Sequence, residues 1–309
     1  MDAAWFACAC CEQSGDRNDF KDADSPPALI YDAENIKSTG SGFVAAREEK
    51  DDGFVPPPPM AIVDPVVEDR PEEQVEGGAR YKGQWKGTVW HGTGVLTRPD
   101  GSRYEGSFAD GRAQGYGQFT AANGNRYEGQ WDQDRAHGFG KYIHEDGSTY
   151  EGQWHQDEKY GKGKESWADG SCYEGEFLHG IKHGVGAYRA GSSSVVYEGQ
   201  FRQDKMDGDG QYRFADGRTF NGQWQRGHMS GDGKMTWPDG SKYEGGYKKD
   251  LRHGEGIFTW PDGRIYNGQW KNGKQDGTGT MTNAQGECLG ECQWSNGQQV
   301  GGTVESNDK

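Results

Sequence analysis

The sequence predicts an all-β fold: an elongated single-layer ribbon of stacked antiparallel β-hairpins, preceded by a disordered acidic arm. Three observations predict it. A ring residue recurs at near-constant spacing from Tyr81 to Tyr266, each recurrence opens a short alternation of strand type, and the composition changes abruptly at Arg80.

The arm comes first in the chain. Residues 1–79 hold 18 acids against 6 bases, whereas residues 80–309 hold 31 against 28, so the net charge of −15 belongs mostly to the arm. Eight of the 11 prolines also lie there, including Pro56-Pro57-Pro58-Pro59, and low hydrophobicity with net negative charge predicts disorder. The proline run lacks a flanking arginine and is read as a stiff linker rather than a recognition ligand. The longest apolar run, Ala3 to Cys11, is too short to span a bilayer and lacks the positive start of a secretory signal, so the chain is read as intracellular. Cys8, Cys10 and Cys11 sit there beside Trp5 and Phe6, an arrangement suited to reversible acylation and peripheral membrane attachment; unmodified thiols in a frayed end are the equal alternative.

The repeats follow. The opening ring stands at Tyr81, Tyr104, Tyr127, Tyr150, Tyr173, Tyr197, Phe220, Tyr243 and Tyr266, at spacings of 23 residues with a single 24. In Tyr81-Lys82-Gly83-Gln84-Trp85 ring, glycine and ring fall on one strand face, and a second ring closes this pattern in every unit. Three residues on come Gly111, Asp134, Asp157, Gly180, Asp204, Gly227, Asp250 or Gly273, types that tolerate positive φ in a turn; Thr88 departs from the pattern. The returning strand opens with Gly-x-Gly and places an apolar group two residues later, except Glu165, for which Trp167 substitutes. Asn-Gly or Asp-Gly then follows in seven units and predicts a tight hairpin turn. The glycines leave room for rings to lie across the sheet, and contacts are mainly between neighbours. Nine hairpins at about 4.8 Å per strand run roughly 85 Å.

This pattern resembles the MORN (membrane occupation and recognition nexus) repeat, over about residues 80–301. The resemblance implies a hairpin ribbon with an aromatic-lined groove, used in scaffolding, dimerisation and membrane-associated or cytoskeletal assembly, and implies no catalysis. The last unit decays: Cys288-Leu289-Gly290-Glu291-Cys292 stands where another Tyr-x-Gly-x-Trp is expected, and is read as a terminal cap before a disordered tail, 302–309.

The chain is therefore read as a non-enzymatic scaffold or adaptor. Most rings are assigned to packing, but Trp167, Phe214, Trp237 and Trp260 add a third ring to C-terminal units and are the candidate protein-binding residues. Partners are proteins, self-association included; a phosphoinositide-binding membrane module is the alternative, disfavoured because Lys and Arg are dispersed among acids. The near-neutral repeats offer no basic stripe for nucleic acid. His91, His137, His183 and His253 share one repeat position, but two-strand spacing is too wide for a shared metal, so no metal, cofactor or small-molecule substrate is expected. The recurring Glu105, Glu128, Glu151, Glu174, Glu198 and Glu244 are read as a solvated stripe, partly balanced by Arg103, Arg126 and Lys242.

Overall fold

The computed structural model describes residues 66–191 and 195–302. They form one open sheet of 21 strands. Every strand pairs antiparallel with its neighbours in the chain, so the sheet is an unbroken meander.

The first full hairpin shows why the repeat takes this form. β2 (Arg80–Lys86) pairs with β3 (Val89–Thr97), placing Tyr81 opposite Leu96, Gly83 opposite Gly94 and Trp85 opposite Trp90. Tyr81 lies flat over the paired glycines. A Cβ on Gly94 would stand 2.3 Å from its hydroxyl oxygen, and one on Gly83 would stand 2.4 Å from the Gly94 Cα. No other residue type fits either position. The same close approach recurs at Gly117, Gly140, Gly163, Gly186, Gly210, Gly256 and Gly279, so the glycines do vacate space for rings.

The opening ring also ends in a hydrogen bond. Tyr127 Oη donates to the Gln130 carbonyl at 2.9 Å and Tyr150 Oη to that of Gln153 at 2.9 Å; in eight units a tyrosine makes this bond, and only Phe220 cannot. The accepting carbonyl sits at a β-bulge, where the register shifts between Gly83 and Trp85 and at the matching point of later units. There the first glycine of Gly-x-Gly takes positive φ, 70° at Gly92 and 66° at Gly138. Burial pushes the tyrosine hydroxyls up, to about 12 for Tyr81, with the Gln84 carbonyl opposing.

Both turn types are stereotyped, and one differs from expectation. All eight Gly or Asp positions singled out in the sequence have positive φ, from 62° at Asp204 to 87° at Gly227, in two-residue turns such as Gln133-Asp134. The Asp-Gly pairs do not form such turns. In the loop after β3, Gly101 N donates to Arg98 O at 3.0 Å, Arg98 N to Ser102 O at 2.9 Å and Ser102 N to Asp100 Oδ1 at 2.8 Å. Only Gly101 has positive φ, so aspartate acts as a side-chain acceptor in a wider loop.

Two boundaries also move. Where the arm was expected to continue to residue 79, Val67–Gln74 forms β1 on the outer edge of β2. Arg70 anchors it, its Nη2 donating to Gly87 O at 2.8 Å and its guanidinium lying 5.0 Å from the Trp85 ring. An uncovered β2 would expose a row of unpaired backbone groups, and β1, rich in charge and bulged beside Pro71, is a poor template for further pairing. Residues 1–65 of the arm, with Cys8, Cys10 and Cys11, lie outside the described residues, as does the tail from residue 303.

At the other end the register differs from the one read in sequence. β20 (Cys288–Ser295) pairs with β19 (Lys274–Thr282) so that Met281 faces Gly290, Gly279 faces Cys292 and Gly277 faces Trp294. Trp294, not Cys292, thus holds the second-ring position; a bulge at Leu289 absorbs the offset. β21 (Gln298–Gly302) closes the sheet.

Candidate protein-binding face

The rings share one face and cover one another, since a single layer has no second sheet to do so. Each opening ring meets its own second ring and that of the next unit edge-on: Tyr104 stands 4.9 Å from Phe108 and 5.2 Å from Trp131, Tyr243 stands 5.2 Å from both Tyr247 and Trp270. The contacts run without a break from Trp85 to Trp294. Such pairs contribute roughly 0.5–1.5 kcal/mol each beyond area burial. Indole N–H groups tie successive hairpins further: Trp131 Nε1 donates to Gly117 O, Trp154 to Gly140 O and Trp270 to Gly256 O, each at 3.0 Å. At the two ends the indole nitrogens of Trp85 and Trp294 are buried without this partner.

Over this ladder lie the side chains that vary. The residue opposite the second ring is Trp90, Ala113, Ala136, Lys159, Lys182, Met206, Met229, Arg252 or Gln275 in successive units. The candidate rings Trp167, Phe214, Trp237 and Trp260 flank it, each half-buried at the start of an inter-unit loop. Phe214 stands 4.7 Å from Tyr212, Trp260 4.9 Å from Phe258, Trp237 5.7 Å from Phe258 and Trp167 6.2 Å from Tyr188. Cations cover three of them: Lys182 at 4.9 Å from Trp167, Arg218 at 4.6 Å from Phe214 and Arg264 at 5.3 Å from Trp260. These rings are thus packed in part against the ladder and in part left in solvent.

Glu165, the exception in the apolar row, is built into the face. Lys159 Nζ contacts its Oε1 and Lys182 Nζ its Oε2 at 3.5 Å, and Lys182 reaches Asp204 at 3.9 Å. Burial opposes ionisation of Glu165, but the two ammonium groups outweigh it and hold the carboxyl below its ordinary value.

Sequence reasoning missed two features. The first is the glutamine of Tyr-x-Gly-Gln-ring. Its Oε1 accepts the backbone N–H inside Gly-x-Gly, at 2.8 Å for Gln84 and Thr93, 2.7 Å for Gln130 and Phe139, and 2.7 Å for Gln153 and Lys162. Gln200, Gln223 and Gln269 do the same. Its recurrence was visible, but nothing in strand alternation demands a bulge acceptor. The second lies on the opposite face, where Tyr116, Phe139 and Val185 are 56–62% exposed along a shallow trough of about 870 Å³ floored by paired glycines.

The glutamates of that face are exposed, and their partners sit mostly across the strand pair: Lys141 with Glu151 at 3.2 Å, Arg189 with Glu174 at 3.5 Å, Lys234 with Glu244 at 3.2 Å, while Arg103 meets Glu105 at 2.6 Å. Among the described residues no three His, Cys, Asp or Glu side chains are grouped to hold a metal ion, and no helix is long and apolar enough to cross a membrane.

The register, the glycine–ring interlock and the period together match one family description. The MORN repeat model fits nine consecutive segments, 81–103, 104–126, 127–149, 150–172, 173–195, 197–217, 220–242, 243–263 and 266–288. The chain belongs to the MORN-repeat family. A comparison with curated proteins gives no match. Solved structures similar to this MORN ribbon include the TCP domain of SAS-4 (dCPAP) from Drosophila melanogaster in complex with a proline-rich motif of Ana2, at 12% identity, covering 70% of this chain and 97% of that one, with a TM-score of 0.25. The TCP10 domain of Danio rerio CPAP (E1021V mutant) is 14% identical, covering 72% and 99%, with a TM-score of 0.23. A CPAP G-box domain is 16% identical, covering 70% and 100%, with a TM-score of 0.28. At such TM-scores the molecules do not superpose over their length, and the likeness says nothing of function.

Proposed function

We propose that this MORN ribbon is a non-catalytic scaffold whose ring-lined face, in its C-terminal half, binds a partner protein. One observation carries the reading: Trp167, Phe214, Trp237 and Trp260 extend the buried ladder outward as half-open rings, and aromatic surface of that density anchors protein contacts. Membrane or cytoskeletal association belongs to the same proposal, with Cys8, Cys10 and Cys11 as acylation sites holding the chain at a membrane. Cross-strand pairing of Lys141, Arg189 and Lys234 with glutamates weakens the phosphoinositide alternative.

Recovery of partners from native cells tests the reading. Trp237→Ala and Trp260→Ala are each expected to weaken partner binding by about thirtyfold, and recovery with it, since aromatic hot spots contribute roughly 2 kcal/mol or more. Circular dichroism should stay β-rich. Unchanged recovery from folded double mutant would move the surface elsewhere. Separately, replacing Cys8, Cys10 and Cys11 with serine should release the protein to the soluble fraction, and unchanged fractionation would remove the anchor from the proposal.

A further inference from the structure

The position opposite the second ring carries a cation in three units, and among the described residues one of the three has no carboxylate beside it. Lys159 and Lys182 are both neutralised by Glu165, and Lys182 also by Asp204. Arg252 occupies the same place, opposite Tyr247, as Lys182 does opposite Phe177. Here, however, Met235 faces Tyr243 where Glu165 faces Tyr173 beside Lys182, Phe258 stands where Glu165 does in the hairpin of Lys159, and Gly273 stands at the turn position of Asp204. Among the described residues Arg252 has no carboxylate partner. Its Nη2 donates to Gly273 O at 2.8 Å, and its guanidinium lies 4.1 Å from the Trp270 ring and 5.4 Å from Phe258.

These groups line a cavity of about 270 Å³ on the ring face, with Trp260, Lys274 and Gln275 completing its wall and no acidic residue in it. Lys274 is held to the Asn296 side-chain oxygen at 2.9 Å. A guanidinium withdrawn from water among rings is stabilised by their π faces, but it is stabilised further by a carboxylate, which it can grip through two parallel N–H donors. The ring walls suit the methylenes that carry such a group.

We propose that this cavity receives the carboxylate side chain of an aspartate or glutamate on the partner protein, with apolar residues beside it against Trp260 and Phe258. The proposal rests on the reading that the ring-lined face binds proteins, and it names the chemistry of the contact. The nearly neutral repeat region makes such selectivity a local property of Arg252 and Lys274 rather than of bulk charge.

The test uses the full chain and phenylacetate as probe, with phenylacetamide as its neutral analogue, followed through the indole N–H signals of Trp260 and Trp270. Phenylacetate is expected to shift both signals and to bind about tenfold more tightly than the amide, in proportion to a charge-assisted pair. Arg252→Gln should abolish the difference. Gly273→Asp installs at an already positive-φ turn the carboxylate that Lys182 has in Asp204; it should raise the melting temperature by giving the Arg252 guanidinium an ion pair, and block the probe. Equal binding of acid and amide, or binding unaffected by Gly273→Asp in a folded protein, overturns the proposal. If Glu48→Gln with Glu49→Gln, in the charged run Glu48-Glu49-Lys50-Asp51-Asp52 of the acidic arm, tightens phenylacetate binding, the occupant is the chain's own acidic arm, and the assignment to a partner is overturned. In partner recovery, loss with Trp237→Ala but none with Arg252→Gln would sink the carboxylate contact while leaving the protein-binding face intact.

Discussion

At the scale of single residues, the ribbon depends on an exchange of volume between glycine and tyrosine. A Cβ on Gly140 would stand 2.3 Å from Tyr127 Oη, so Gly140→Ala must push a buried ring off its ladder. It is expected to cost about 3 kcal/mol, while Tyr150→Phe, which removes only the bond to Gln153 O, should cost about 1 kcal/mol, as the tolerated Phe220 implies. Denaturant midpoints of the two variants should rank in that order. Asp134 adds a pH effect. Burial pushes its carboxyl up to about 6, against the pull of the Ala113 N–H and Arg112. Because the folded group keeps its proton to higher pH than the unfolded one, its contribution is greatest below about pH 4 and declines as pH rises toward about 6. Asp134→Asn should therefore stabilise by about 1 kcal/mol at pH 7, a value reduced for partial solvation, and by almost nothing at pH 4. The same glycines and tyrosines were legible in the sequence, since ring and glycine alternate on one face. The indole and glutamine hydrogen bonds were not, because both partners are backbone groups that no composition displays.

At the scale of the element, the hairpin is held by its bulge and its two turns. Gln153→Ala leaves the Lys162 N–H without its side-chain acceptor and should cost about 1 kcal/mol. Amide exchange localises it: faster exchange at Lys162 with little change in units far from it. Equal acceleration along the chain would show that the bulge is not a local device. The two-residue turns are legible in the sequence, where glycine or aspartate must take positive φ, but Asp-Gly is ambiguous because the same dipeptide serves a tight turn and an aspartate-capped loop. β1 was missed for a different reason. Val67–Gln74 is charged and contains Pro71, a composition shared by disordered arms and by protected edge strands, and only the need of β2 for a neighbour tells them apart. The end register slipped because a one-residue bulge at Leu289 changes no composition at all.

At the scale of the molecule, 21 strands paired in chain order extend the sheet in one direction, on the order of 95 Å at the usual strand spacing. Small-angle scattering from residues 66–309 should give a radius of gyration of about 28 Å rather than the roughly 18 Å of a compact domain of that length. The varying side chains on the ring face, small at Ala113 and Ala136, ionic at Lys159 and Lys182, apolar at Met206 and Met229, make that face chemically different from one unit to the next. The family and the candidate rings were legible from period and residue type. Which rings stay half open was not, because it depends on how units curve over one another. The central claim is that the partner lies on that face, and photo-crosslinking in native cells tests it most directly. With benzoylphenylalanine placed at residue 237 on the ring face, or at residue 139 in the glycine-floored trough opposite, a protein adduct should form from 237 and not from 139. An adduct from 139 alone would contradict the account.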